Sequence, residues 1–186
     1  MRKLVSTTLL TGAAVALTGA LLSVATAANT ASTPAGGRIQ LQATAGDSAY
    51  GTIVIAGAIG DYGKTRSMNK NGKTNTNGNF VEITLKKGSF EVDSTAFNKK
   101  TENAPATVNN KSTCSFGFAA SGPVTLFNGT GLYKGISGRV TITINFVGVG
   151  PRLTSGPKKG QCNPSHSAKP LASVGVITGL GTVKFS

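Results

Sequence analysis

Three carboxylates, Glu82, Glu91 and Asp93, are the acidic side chains whose positions best suit chemistry. They lie opposite the aliphatic residues in two neighbouring alternating segments, and a pair of carboxylates is what glycosidase chemistry requires. If this face looks into the protein, the three acids form a polar site together with Arg139. If it looks outward, they are ordinary surface charges. The outward orientation is favoured because the aliphatic side should form the core.

Motifs for other kinds of catalysis are missing from the sequence. A Ser-His-acid hydrolase would need the single histidine, His166, which lies in a basic, proline-containing segment, and the chain contains no G-x-S-x-G motif. It contains neither a P-loop nor a dinucleotide-binding glycine fingerprint. A metal centre would need more ligands than one histidine and two cysteines. We therefore expect no cofactor and no metal ion, and the sequence favours a protein without catalysis.

Other side chains suit binding. Tyr50 and Tyr62 could stack on a sugar or a base, although aromatic residues more often fill turns. The chain has 19 Lys and Arg against 6 Asp and Glu, a net charge of +13. Without Arg2 and Lys3, which belong to a predicted export signal, the charge is +11 and should attract the protein to anionic polymers of a cell envelope. Charge that only keeps the loops soluble explains the composition equally well. The lysines are scattered over loops, which disfavours a nucleic-acid partner.

The first 28 residues have the layout of a cleavable secretory signal. A basic start is followed by an uncharged run of Leu, Ala and Val up to residue 24 and by the small residues 25–28. A membrane anchor is the alternative, but glycines and threonines dilute the apolar run, and no later segment is long enough to span a bilayer. We expect a secreted protein with a flexible lead-in at residues 29–37 and one domain at residues 38–186.

The two cysteines, Cys114 and Cys162, are expected to form a disulfide, because an exported protein folds in an oxidising compartment. The two cysteines are 48 residues apart, and in the chain-entropy model a disulfide that closes a loop of this length stabilises the fold by about 4 kcal/mol. A redox role is disfavoured because no second cysteine pair lies nearby.

Short alternating segments separated by Gly and Asn predict an all-β domain of about eight strands. The strongest strand is predicted at residues 139–146 and the clearest hairpin at residues 80–93. Residues 60–79, 98–111 and 150–170 are polar segments with several Lys or Arg residues each and are interpreted as loops. Gly122-Pro123 is expected to interrupt a strand. The spacing suits a sandwich or a barrel, and closure into a single antiparallel barrel would hide the sheet edges.

A glycine-rich stretch at residues 128–138 is expected to form a sharp corner between strands, with Tyr133 and Ile136 placed to plug a barrel end. This stretch resembles the G-G-T-G-x-[FY]-x-G-[AIV]-x-G signature of the dirigent and allene-oxide-cyclase barrel families and of small secreted bacterial proteins that share it. The residues that carry the resemblance are Gly129, Thr130, Gly131, Tyr133, Gly135, Ile136 and Gly138.

The resemblance implies an eight-stranded antiparallel barrel with an apolar pocket, often trimeric in the plant members, which makes a homo-oligomer an open expectation. The catalytic acids and arginines of those enzymes lie outside the matched stretch, so they are not assigned to residues of this chain. The shared glycines serve the fold and do not argue for catalysis.

Two functional hypotheses follow. The first is a secreted, cationic, non-catalytic barrel that binds a small apolar ligand or an anionic surface of the cell envelope. The second is an enzyme similar to dirigent proteins or cyclases, which would enclose an apolar substrate in a deep pocket with a buried ionisable group. A barrel filled by its own side chains would exclude the second.

Overall fold

The computed structural model describes residues 35–46, 48–102, 104–165 and 168–186. The predicted signal segment, residues 29–34 of the lead-in and His166 lie outside the described residues. Nine strands and one helix make up the described structure: β1 Gly37–Ala45, β2 Tyr50–Gly57, β3 Asp61–Met68, β4 Phe80–Leu85, β5 Gly88–Asp93, α1 Thr95–Glu102, β6 Ala106–Asn110, β7 Ser115–Phe127, β8 Ser137–Val149 and β9 Ala172–Lys184. A short 3₁₀ turn, Gly131–Tyr133, precedes β8.

The strands form a closed antiparallel barrel of eight strands, as the sequence predicted. The order is β5-β4-β3-β2-β1-β9-β8-β7, and pairing between β5 and β7 closes the ring. The ninth strand, β6, pairs with the beginning of β7 and lies outside the ring. Closure leaves the ring without a free edge strand, although residues 119–124 of β7 are paired on one side only.

One predicted loop contains a strand. Residues 61–68 form β3, although the sequence indicated a loop at residues 60–79. The positions of β3 that follow Asp61 on the same face are Gly63, Thr65 and Ser67, so the strand lacks the apolar alternation by which strands are recognised. The helix α1 and the strand β6 likewise occupy much of the loop predicted at residues 98–111.

Gly122-Pro123 does not interrupt a strand, and β7 is continuous. Pro123 lies opposite Thr141 of β8, and between Ala119 and Val124 the strand β7 is paired with β8 alone. A proline is tolerated where one side of a strand is unpaired, because it lacks only a donor that the sheet does not use. The disulfide is confirmed, since Cys162 is bonded to Cys114, the residue directly before β7.

Apolar side chains from seven of the eight strands of the ring pack in the interior of the barrel, and β3 contributes the buried carboxylate of Asp61 instead. The fully buried members include Ile55, Phe90, Val140 and Val183. Glycines of β9 leave room for larger neighbours: a Cβ added to Gly179 would lie 2.9 Å from Leu41 Cγ and 3.0 Å from Ile142 Cγ2. The side chains of β1 and β8 thus pack directly against the backbone of β9.

Both ends of the barrel are covered. At the end where β4 turns into β5, the 3₁₀ turn brings in Tyr133 and Ile136, which are 0% and 4% exposed. Helix α1 follows the other end of β5, and its buried Phe97 packs against Gly122 of β7. Within the described ranges, no helix has the length and hydrophobicity needed to cross a bilayer.

Candidate functional site

The one buried carboxylate among the described residues is Asp61, at the start of β3. Strand alternation points its side chain into the barrel, opposite Ile55 of β2, and leaves it 7% exposed. The Tyr133 hydroxyl donates a 2.5 Å hydrogen bond to Asp61 Oδ2. The backbone N–H groups of Lys87 and Tyr62 donate to Oδ2 and Oδ1 at 3.0 and 2.8 Å. The carboxylate therefore ties β3, the β4–β5 turn and the 3₁₀ turn together.

These contacts shift the pKa values of both partners. Burial alone would raise the pKa of Asp61, but the hydrogen bonds from the Tyr133 hydroxyl and from neighbouring backbone N–H groups outweigh burial and hold the pKa below its ordinary value. Burial raises the pKa of Tyr133, and the hydrogen bond to the Asp61 carboxylate raises it further. Near neutral pH the pair is an anionic carboxylate with a neutral phenol donor.

Asp61 and Tyr133 are residue types that can act as a catalytic acid–base pair, but here they lie among packed side chains and not in a cleft. The ring of Tyr133 packs edge-on against Phe90, 5.7 Å between centroids, and it also contacts Phe185. The two best-formed concavities of the described structure both lie on the outer wall. A substrate would have to displace packed side chains to reach the pair, so its geometry suits closure of the barrel end.

The glycine-rich stretch forms this closure. Gly131 has a φ of 58°, and an added Cβ would collide with the carbonyl of Lys87, so the turn needs glycine there. The Thr130 hydroxyl accepts a 3.0 Å hydrogen bond from Ser89 N. The remaining residues of the stretch that carry the resemblance lie around the same barrel end: Gly129 beside Tyr133, Gly135 beside Ser186 and Gly138 opposite Val183.

The acids predicted for a polar site lie on the outer face of the barrel. Glu82 pairs with Arg66, 2.8 Å between Oε2 and Nη2, and Glu91 accepts a hydrogen bond from Asn128. Asp93 accepts the Thr95 N–H at the start of α1.

Arg139 is exposed on the outer face of β8, and β7 separates it from Asp93. The condition for a polar site inside the barrel, inward orientation, is not met. A role of Glu82, Glu91, Asp93 and Arg139 in binding a ligand stays a prediction. Within the described ranges, no cluster of three residues could hold a metal ion.

A shallow groove of about 470 Å³ crosses the outer face of β2, β3 and β4. Its floor contains Thr52, Gly63 and Thr84, and the two tyrosines that the sequence marked as stacking residues stand in it. Tyr50 and Tyr62 are 61% and 57% exposed. We refer to this surface, lined by Tyr50, Thr52, Tyr62, Lys64, Arg66, Glu82, Thr84, Leu85 and Lys86, as the tyrosine groove.

Two lysines supply the uncompensated charge of the tyrosine groove. Arg66 is engaged by Glu82 and by two groups of the loop that follows β3, Gly72 O and Thr74 Oγ1. Lys64 is exposed in the middle of β3, and Lys86 Nζ stands 5.5 Å from the centroid of the Tyr62 ring. This cation–π contact positions a positive charge beside an aromatic surface that remains largely open to solvent.

The outer face formed by β1, β8 and β9 is different. Beyond Gln40, Thr141 and Leu180, which lie side by side, these three fully described strands have no charged residue at an outward position. The outward residues are Gln40, Gln42 and Thr44 of β1, Thr141, Thr143, Asn145, Val147 and Val149 of β8, and Ala172, Val174, Val176, Thr178 and Leu180 of β9. Several of its apolar side chains are exposed, including Leu180 at 65% and Val174 at 57%. We call this surface the uncharged wall.

Comparison with known proteins adds no relative: no protein-family model, no curated protein and no solved structure matches this chain. The resemblance of the glycine-rich stretch to the dirigent and allene-oxide-cyclase families therefore stays a prediction. Sequence reasoning also missed the role of Asp61. The signal that it offered was a single acid at the start of an otherwise basic segment.

Proposed function

We propose that this protein is a secreted, non-catalytic binding protein that attaches to an anionic polymer of the cell envelope through the outer wall of its barrel. The observation that carries the proposal is the closed interior. Apolar side chains from seven of the eight strands of the ring pack inside it, and Tyr133 and Phe97 are buried at its two ends. A ligand that does not unfold the barrel must bind outside.

The charge of the chain indicates what such a ligand would be. The net charge of +13 falls to +11 when Arg2 and Lys3 leave with the predicted signal, and this charge attracts anionic polymers and repels cationic ones. The disulfide fits an oxidising compartment. The alternative, an enzyme that encloses an apolar substrate, needs an interior cavity of several hundred Å³. The packing against Gly179 and the covered ends count against it, and they equally count against a small apolar ligand inside the barrel.

Chromatography on immobilised polygalacturonate, with uncharged agarose as the control matrix, tests the proposal. We expect the protein to bind the polyanion alone. Because binding to a polyanion releases counterions, affinity should fall about tenfold between about 50 mM and about 200 mM sodium chloride. Failure to bind at the lower salt, or binding that is unchanged at about 1 M salt, would contradict the proposal. Saturable uptake of an apolar naphthalene dye would instead support a ligand inside the barrel.

A further inference from the structure

The tyrosine groove contains aromatic and hydroxyl side chains that attraction between a cationic protein and a polyanion does not require. Net charge explains lysines in loops, but it does not explain two exposed tyrosines in one groove beside threonine hydroxyls. Among the described residues of β2 to β4, Val54, which is paired with Tyr62, is the one other large apolar side chain that is exposed. An aromatic ring with a polar tip suits a ligand that presents both C–H and O–H groups.

The spacing of the rings sets the size of the ligand. Tyr50 lies opposite Arg66, and Arg66 is four residues from Tyr62 on β3. At the rise of a β-strand, the two tyrosines are therefore about 13 Å apart along the strands. No single sugar ring or base reaches both, so a ligand that contacts both is a chain of several units.

The surroundings of the rings set the chemistry of the ligand. Thr52 and Thr84 offer hydroxyl groups between the tyrosines, and Lys64 and Lys86 offer ammonium groups. We infer that the tyrosine groove binds an extended acidic polysaccharide, in which two sugar rings pack on Tyr50 and Tyr62 and the acid groups pair with Lys64 and Lys86. This inference rests on the proposed function and names its site and ligand class.

The balance of charge in the groove favours a glycan over a single-stranded nucleic acid. A nucleic acid carries a phosphate on every unit, and proteins that bind it line the path with cations. Here Arg66 is neutralised by Glu82, whose carboxylate lies in the groove, and Glu91 lies directly opposite Glu82. The Glu82 carboxylate and the hydroxyl groups of Thr52 and Thr84 can instead accept hydrogen bonds from the O–H groups of a sugar ring, which a deoxyribose chain does not offer.

The test is titration of the wild-type protein and its variants with soluble polygalacturonate oligomers. Tyr62→Ala and Tyr50→Ala should each weaken binding about tenfold, in the range of one lost aromatic stacking contact. Leu180→Ala is the matched control, since Leu180 is equally exposed but lies on the uncharged wall. Lys64→Gln should weaken binding more than Lys184→Gln, which removes the same charge from an exposed position of β9. Tyr62→Phe should keep most of the affinity.

The possible results separate the inference from the proposed function. If the wild type binds but both tyrosine variants bind as tightly as Leu180→Ala, the groove is not the site, although the proposed function stands. If the wild type does not bind polygalacturonate at low salt, the proposed function fails. If a thymidine oligonucleotide binds more tightly at equal salt and the tyrosine variants lose it, the ligand is a nucleic acid and the inference is wrong. Unchanged circular dichroism and melting temperature establish that each variant is folded.

Discussion

Asp61 and Tyr62 are consecutive residues of β3, yet they belong to two different regions of the molecule. Side chains alternate along a strand, so Asp61 points into the barrel and Tyr62 points out. Asp61 is 7% exposed and is held by three hydrogen bonds, whereas Tyr62 is 57% exposed in an open groove. The difference teaches that the ionisable group with the perturbed pKa maintains the fold here, while the groups suited to recognition lie on the surface.

Replacing Asp61 should have the largest effect on the inner region. Asp61→Ala leaves the Tyr133 hydroxyl and two backbone N–H groups without their acceptor in a buried site. We expect the free energy of unfolding to fall by about 3 kcal/mol, measured by denaturant titration. Tyr62→Ala, one residue away, should change it by less than about 0.5 kcal/mol, as for other surface substitutions.

In binding to polygalacturonate the order should be reversed, so that Tyr62→Ala has a larger effect on affinity than Asp61→Ala. The folded fraction of Asp61→Ala should bind polygalacturonate like the wild type, because the tyrosine groove does not include the Asp61 side chain. A loss of affinity in folded Asp61→Ala larger than that in Tyr62→Ala would show that the two regions are not independent.

Acid should produce a smaller effect through the same carboxylate. The folded-state pKa of Asp61 is lowered, so its charged form contributes stability above the unfolded pKa of about 3.9, and this contribution is lost as the pH falls through the folded value. The difference in unfolding free energy between the wild type and Asp61→Asn should therefore shrink below about pH 4. A difference that stays constant from neutral pH to about pH 2 would contradict a role for the Asp61 charge.

The sequence was sufficient to predict the strands in which apolar and polar residues alternate. The strand predicted at residues 139–146 lies within β8, the hairpin at residues 80–93 is formed by β4 and β5, and Cys114 is bonded to Cys162. In each case the sequence carries a local signal, either apolar alternation or a single cysteine pair. The closure of the ring between β5 and β7 could only be argued from the need to hide edges.

The candidate sites depended on contacts that are distant in the sequence. Tyr50 and Tyr62 were marked as stacking residues, but their shared groove requires β3, whose positions Gly63, Thr65 and Ser67 gave no strand signal. Asp61 meets Tyr133 across 72 residues, a contact that no local pattern reveals. The acids Glu82, Glu91 and Asp93 lie on the predicted strands and face outward, which is the orientation that apolar alternation in the hairpin favoured.

The most direct test of the central claim, that ligands bind the outer wall and not the interior, is two-dimensional ¹H–¹⁵N NMR during titration with polygalacturonate oligomers. The account predicts that shift changes concentrate on the backbone amides around Tyr50, Tyr62, Lys64 and Lys86, which line the groove. Amides of the packed interior, such as Phe90 and Val140, and of Leu180 on the uncharged wall should stay unchanged. Changes that centre on Phe90 and Val140 would contradict the account and restore a ligand inside the barrel.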